Sequence, residues 1–311
     1  MLVGLALLLS ACAPASVAPT LAERVREEAA VSDKPIMTWP DLLTRAKPVA
    51  DATLRYGDDA LQLVDVWVPK GKGPHPAVIM IHGGCWQTAV AERNIMNWIA
   101  GDLRAHGIGV WNIEYRGVDR GGGMPETFED VARAADLFVA EGARHGLDTG
   151  GTRIAIGHSA GGHLALWLAR RPALAADDAL RGPDPIRIDL AISQGGLPDL
   201  RAGAASSGHA CGADAPATMA RGDFARTSPP EMPLGNAREV QFNNDRDRVT
   251  PPATGAAYSA AMAKRGVTVP MEVTPGEGHV ELIAPDSVSW GKQRATILAA
   301  LGRPAVAPAS R

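Results

Sequence analysis

From residue 52 onward, short apolar runs alternate with stretches of helical periodicity, a pattern that fits a sheet covered by helices on both faces. The run 77–81 (AVIMI) is continuously apolar, as a central parallel strand must be, whereas 61–68 (LQLVDVWV) alternates like a half-buried one. Further strand-like runs fall at 108–113, 153–156, 188–192, 240–242 and 268–273, and helical stretches at 92–106, 127–145, 163–170, 253–265 and 287–301. The expected fold class is therefore α/β, with a mostly parallel central sheet. At 311 residues the chain is long enough for one large domain of this kind. Segment 195–234 breaks the alternation. Rich in Gly, Ala, Pro and Ser with little apolar periodicity, it reads as a structureless lid insertion after a central strand.

The ends of the chain differ from this body. Residues 1–11 (MLVGLALLLSA) are apolar and uncharged but far short of the roughly 20 residues that span a bilayer. They read as a signal-peptide h-region, although no Lys or Arg precedes them. Leu9-Ser10-Ala11-Cys12 resembles the bacterial lipobox. That resemblance implies a lipidated Cys12 anchored to a membrane in the periplasm or at the outer membrane, with a cytoplasmic location as the alternative. The expected organisation is then a signal segment 1–12, a Pro/Ala/Ser tether 13–20, an N-terminal cap 21–51 without a motif, the main domain 52–303 and a tail 304–311.

Cys85 and Cys211 are too few to define a disulfide framework. They could pair in an oxidising compartment, but nothing in the sequence sets their distance, and two unpaired small hydrophobic residues is the favoured reading. A net charge of -3 and a pI near 6.2 leave no basic excess for neutralising phosphates, which argues against a nucleic-acid partner. No H-E-x-x-H and no close His/Cys pair at ligand spacing is present, so neither metal nor cofactor is expected.

Gly157-His158-Ser159-Ala160-Gly161 is a G-x-S-x-G match, weak alone but placed between the strand-like run 153–156 and the helical run 163–170. This is the strand-turn-helix setting that holds a nucleophilic serine on a strained elbow. The turn also puts backbone N–H groups at a helix N-terminus, where they can hold a developing oxyanion, Ala160 contributing one. A second donor set is expected from His82-Gly83-Gly84-Cys85-Trp86, directly after AVIMI, through Gly83 and Gly84.

HGGCW, followed by NIEYR at 112–116 and GHSAGGHLALWLA at 157–169, resembles α/β-hydrolases of the esterase, lipase and kynurenine formamidase type, many of which carry an HGGxW loop. The resemblance covers about 52–303 and implies the chain order Ser, then acid, then His. The stretch 243–251 (NNDRDRVTP) is similar to the family's G-x-x-D-x-x-V-P loop, with Asn244 at the glycine position and Asp247 as the acid; Asp245 competes. The stretch 274–279 (TPGEGH) leads to His279, the expected base. Trp86 and His158 are expected to touch substrate, His209 lies in the lid within possible reach of it, and His82 is expected to brace the oxyanion loop.

The expectation is a carboxylesterase acting on small-molecule esters of short or compact acyl groups through an acyl-enzyme on Ser159. An arylformamidase or other amidase is the alternative, since the same triad cleaves amides. A non-catalytic binding protein of the same fold stands further off, because such proteins usually lose a triad residue.

Overall fold

In the computed structural model, which describes residues 34–303, the apolar runs become strands β1 (Ala52–Arg55), β2 (Leu63–Trp67), β3 (Ala77–Ile81), β4 (Gly109–Ile113), β5 (Ile154–His158), β6 (Leu190–Gln194), β7 (Arg238–Asn244) and β8 (Met271–Thr274). They form one sheet in the order β1-β2-β4-β3-β5-β6-β7-β8. β2 runs antiparallel to both its neighbours, and every other pairing is parallel. The chain steps from β3 outward to β4 and then returns past β3 to β5. The C-terminal ends of β3 and β5 are thereby adjacent, and the loops leaving them meet at the point where α/β sheets bind ligands. This mostly parallel sheet with helices on both faces is the α/β-hydrolase fold.

All five residues of β3 are buried, and successive side chains enter opposite layers. Val78 and Met80 pack with Ile99 and Leu103 of the helix Asn97–Ala105 and with Trp290 and Ile297 of the helix Val288–Ala300. Ile79 and Ile81 pack with Phe128 of the helix Glu126–Glu141 and Leu164 of the helix Ala160–Arg170. Each such side chain contributes about 1.5–3 kcal/mol on full burial, so a continuous apolar run is the strongest specification a strand can carry.

Several expectations need correction. β1 was not anticipated: its residues alternate between half-buried and exposed, and pairing of Ala52 with Val66 holds it at the sheet edge. The segment 195–234 is not structureless but contains the short helices Leu200–Ala205, Asp214–Ala220 and Phe224–Thr227. Its Leu197, Leu200, Met219 and Met232 are buried in the core, an outcome invisible in periodicity because each helix is under two turns. From Pro35 on, the expected N-terminal cap belongs to the same compact unit as the sheet. Cys85 and Cys211 are joined by a disulfide with Cα atoms 5.2 Å apart, against the unpaired reading. The signal segment, Cys12, the tether 13–20 and the tail 304–311 lie outside the described residues. Among the described residues no helix is long and apolar enough to cross a membrane.

Candidate active site

β5 ends at His158 and the next helix begins at Ala160, so Ser159 alone turns the chain. Its φ of 53° and ψ of -120° lie where L-residues are rarely found, a conformation that persists only when surroundings enforce it. Here the Ser159 N–H donates to the Gln194 carbonyl (2.8 Å), and the Ser159 carbonyl accepts from Gly162 N–H (2.9 Å). A Cβ on Gly157 would fall on the Gly161 carbonyl, and one on Gly161 would fall on the carbonyls of Ile81 and His82. The two glycines of G-x-S-x-G are thus required by close packing of the helix start against the loop leaving β3.

His279 follows β8, and Asp247 follows β7. His279 Nδ1 lies 2.6 Å from Asp247 Oδ2, which leaves Nε2 as the ring nitrogen available to Ser159. Asp247 Oδ1 accepts the N–H groups of Val249 and Thr250, each at 2.8 Å, and Oδ2 also accepts the Thr250 hydroxyl at 2.7 Å. Burial alone would raise the Asp247 carboxyl, but His279 and the Thr250 donors outweigh it and hold it below the ordinary carboxylate value. Asp245 is exposed and its carboxylate accepts Gly276 N–H instead, so the competing acid is set aside. The departure at the glycine position is used too: Asn244 Nδ2 donates to the Gly278 carbonyl (2.7 Å), fixing the loop that carries His279.

Ser159 and His279 share the wall of a cavity of about 250 Å³ with His158, Gly84 and Cys85. A Cβ on Gly83 would lie 2.9 Å from the His158 carbonyl and 3.0 Å from Ser159 Cβ, so this residue sits directly against the elbow. The N–H groups of Gly83, Gly84, Cys85 and Ala160 have no acceptor among the described residues, as donors reserved for an oxyanion would. His158 packs on His279 with ring centroids 4.4 Å apart, and its Nε2 lies 3.2 Å from the His279 carbonyl. Burial, then the nearby His279, pushes the His158 pKa well below the ordinary imidazole value, so this ring stays neutral and does not compete as a base.

Two expected contacts are absent from the Ser159 cavity. Trp86 is wholly buried and its indole N–H points to His163 Nδ1 at 3.3 Å, which makes it a packing residue of the loop rather than a substrate contact. His209 stacks on Trp86 and faces a separate cavity of about 280 Å³. No residue of 195–234 lines the Ser159 cavity; Trp39 and Leu43 of the helix Trp39–Leu43 do, with Val90, Ile95 and Val249. Trp39 stands edge-on to both His158 and His279, with centroids 6.2 and 6.4 Å away. No motif announced it; the only sequence signal was a Trp inside an otherwise uninformative segment. Among the described residues no cluster of side chains suits a metal ion.

The BD-FAE family model, an α/β-hydrolase esterase family, matches residues 64–218, the stretch that includes the HGGCW loop and the elbow. Similar solved structures include a carbohydrate esterase from gut microbiota in truncated form, 18% identical with TM-score 0.66, covering 83% of this chain and 100% of that one. A Thermogutta terrifontis esterase with propionate bound is 19% identical with TM-score 0.66, covering 85% and 99%. Esterase B of Lactobacillus rhamnosis, inhibited by a tributyrin phosphonate, is 17% identical with TM-score 0.68, covering 90% and 91%. Comparison with curated proteins gives no match. The order of the strands and the strained serine elbow give the chain the α/β-hydrolase fold, and over residues 64–218 it is similar to the BD-FAE esterase family.

Proposed function

We propose that the protein is a carboxylesterase that hydrolyses esters of short or compact acyl groups through an acyl-enzyme on Ser159. The observation that carries this is the serine on its strained elbow sharing one small cavity with a histidine bound to a buried carboxylate. In this mechanism His279 Nε2 takes the Ser159 proton as Oγ attacks the acyl carbon, and Asp247 holds the imidazole tautomer and stabilises the imidazolium. Backbone N–H groups of Ala160 and of the loop after β3 bind the oxyanion. The imidazolium then protonates the leaving alcohol, and water, activated by the same histidine, releases the acid.

The acyl preference rests on size and on walls. A cavity of about 250 Å³ lies below the ~300–1,000 Å³ usual for ligand pockets, and each further methylene gains about 0.8 kcal/mol only where an apolar channel receives it. Leu197, Leu200, Met219 and Met232 of 195–234 are packed into the core with Phe224 against it, and none of them lines the Ser159 cavity. Propionate in the Thermogutta terrifontis esterase is in keeping with this reading. Measuring kcat/KM on p-nitrophenyl esters from C2 to C16 tests it, with the maximum expected at or below C6. A maximum at C10 or longer would refute the acyl preference, and full activity in Ser159→Ala would refute the mechanism.

We also propose export through the 1–12 segment with lipidation of Cys12. The Cys85–Cys211 disulfide supports it, since such bonds persist in oxidising compartments.

A further inference from the structure

The loop that carries the oxyanion donors is fastened from behind by three side chains. His82 is 2% exposed; its Nδ1 lies 2.7 Å from the Gly83 carbonyl and its Nε2 lies 2.7 Å from Glu114 Oε1. The Tyr115 hydroxyl donates to the His82 carbonyl at 3.0 Å, and the Tyr115 ring stacks on the imidazole with centroids 4.3 Å apart and planes 14° apart. Glu114 and Tyr115 directly follow β4, the strand beside β3, so neighbouring strand ends deliver both halves of the arrangement.

A trans peptide sets its N–H antiparallel to its C=O. Anchoring the Gly83 carbonyl on His82 therefore fixes the opposite direction for the Gly84 N–H, and Gly84 lines the cavity in front of Ser159. Anchoring the His82 carbonyl on Tyr115 does the same for the Gly83 N–H. Without these anchors two adjacent glycines would have several low-cost orientations, and a rotated peptide would present a carbonyl to the oxyanion.

Glu114 Oε1 also accepts Tyr115 N–H (3.1 Å), and Oε2 accepts Arg93 N–H (2.8 Å) with the Arg93 guanidinium 3.5 Å away, an environment that suits a carboxylate. Burial raises this carboxyl, but His82 and these donors win and hold it below its ordinary value. The Glu114 carboxylate and the Gly83 carbonyl can only accept, so the two His82 ring nitrogens hold the loop between two acceptors.

We propose that Glu114, acting through His82, and Tyr115 are positioning residues that set the oxyanion donors of the Gly83–Gly84 backbone. The inference deepens the esterase reading and rests on it. The test uses the full chain and compares wild type, Ser159→Ala, Glu114→Gln and Tyr115→Phe on p-nitrophenyl acetate. Inhibition by an alkyl boronic acid, whose serine adduct mimics the oxyanion, and thermal melting are measured alongside. Each brace variant should lose about 10- to 100-fold in kcat with KM within about twofold, and boronate affinity should fall by a similar factor. A lower melting temperature with kcat and boronate affinity unchanged in the folded protein would overturn the proposal and leave the esterase reading standing. If Glu114→Gln fails to fold, Tyr115→Phe, which removes a single hydroxyl, decides alone. A wild type inert towards esters, or an active Ser159→Ala, would overturn the esterase reading and this one with it.

Discussion

Asp247 and Asp245 are two residues apart in an ordinary-looking acidic loop, yet one accepts four hydrogen bonds in the interior and the other faces solvent. Asp247→Asn should lower kcat by about 10⁴-fold, because an amide cannot hold the His279 tautomer, whereas Asp245→Asn should change it by less than about tenfold. Steady-state rates of the two purified variants check this, and the reverse order would overturn the assignment. His163 makes a second residue-level prediction. Its Nδ1 accepts from Trp86 and its Nε2 faces the Thr227 carbonyl, so the ring must be neutral, and burial pushes its pKa down to about 4. Between that value and the ordinary 6.5 the unfolded chain binds a proton that the folded one refuses, so stability falls as pH drops through this window. The full effect amounts to about 3 kcal/mol. Urea midpoints measured from pH 7 to 4 should show that slope, and His163→Gln should lose part of it.

At the scale of elements, the loop after β3 is held by three independent devices: the Gly83 contact with the elbow, the His82 contacts and the disulfide. The last joins it to the 195–234 segment across 126 residues. Closing a loop that long restricts the unfolded chain by up to about 5 kcal/mol in the entropy model, with measured cases nearer 2–4. Cys211→Ser leaves Cys85 in place and should lower unfolding free energy by about 2–4 kcal/mol. Chemical denaturation of the variant without reductant, compared with wild type, measures it; a change under about 0.5 kcal/mol would show that the bond contributes nothing to stability. The same comparison with reductant should bring wild type down to the variant.

At the scale of the whole molecule, the Cys85–Cys211 disulfide and the proposed export segment 1–12 bear on each other through compartment. A protein exported as a lipoprotein meets an oxidising environment, where Cys85 and Cys211 pair; a cytosolic one meets reductant. The expected outcome in a bacterial host is membrane-associated protein whose N-terminal peptide begins at an acylated Cys12, with Cys12→Ala blocking that processing. Mass spectrometry of the N-terminus and fractionation of the cells check it, and an unmodified N-terminal peptide running through Cys12 on soluble cytosolic protein would refute export.

Much of the site was legible because its chemistry is local in sequence. The elbow needs small residues on each side of Ser159, and the donor loop needs adjacent glycines after a buried strand. Asp247 and His279, the proposed acid and base, each sit just past a late strand and meet in the fold, so chain order was enough to single out the pair. Central strands such as AVIMI were legible for the same reason, since burial on both faces leaves no position for a polar residue. What tertiary structure alone decided were contacts between distant segments. Trp39 and Leu43 reach the Ser159 cavity from a stretch with no motif, and Trp86 turns inward to His163 although its motif suggested substrate. Cys85 meets Cys211, and Glu114 meets His82, only because separate loops converge on one end of the sheet. Periodicity and spacing report which side of an element is buried; which partner lies on that side is set by packing, and packing energies are carried by pairs that no local pattern encodes.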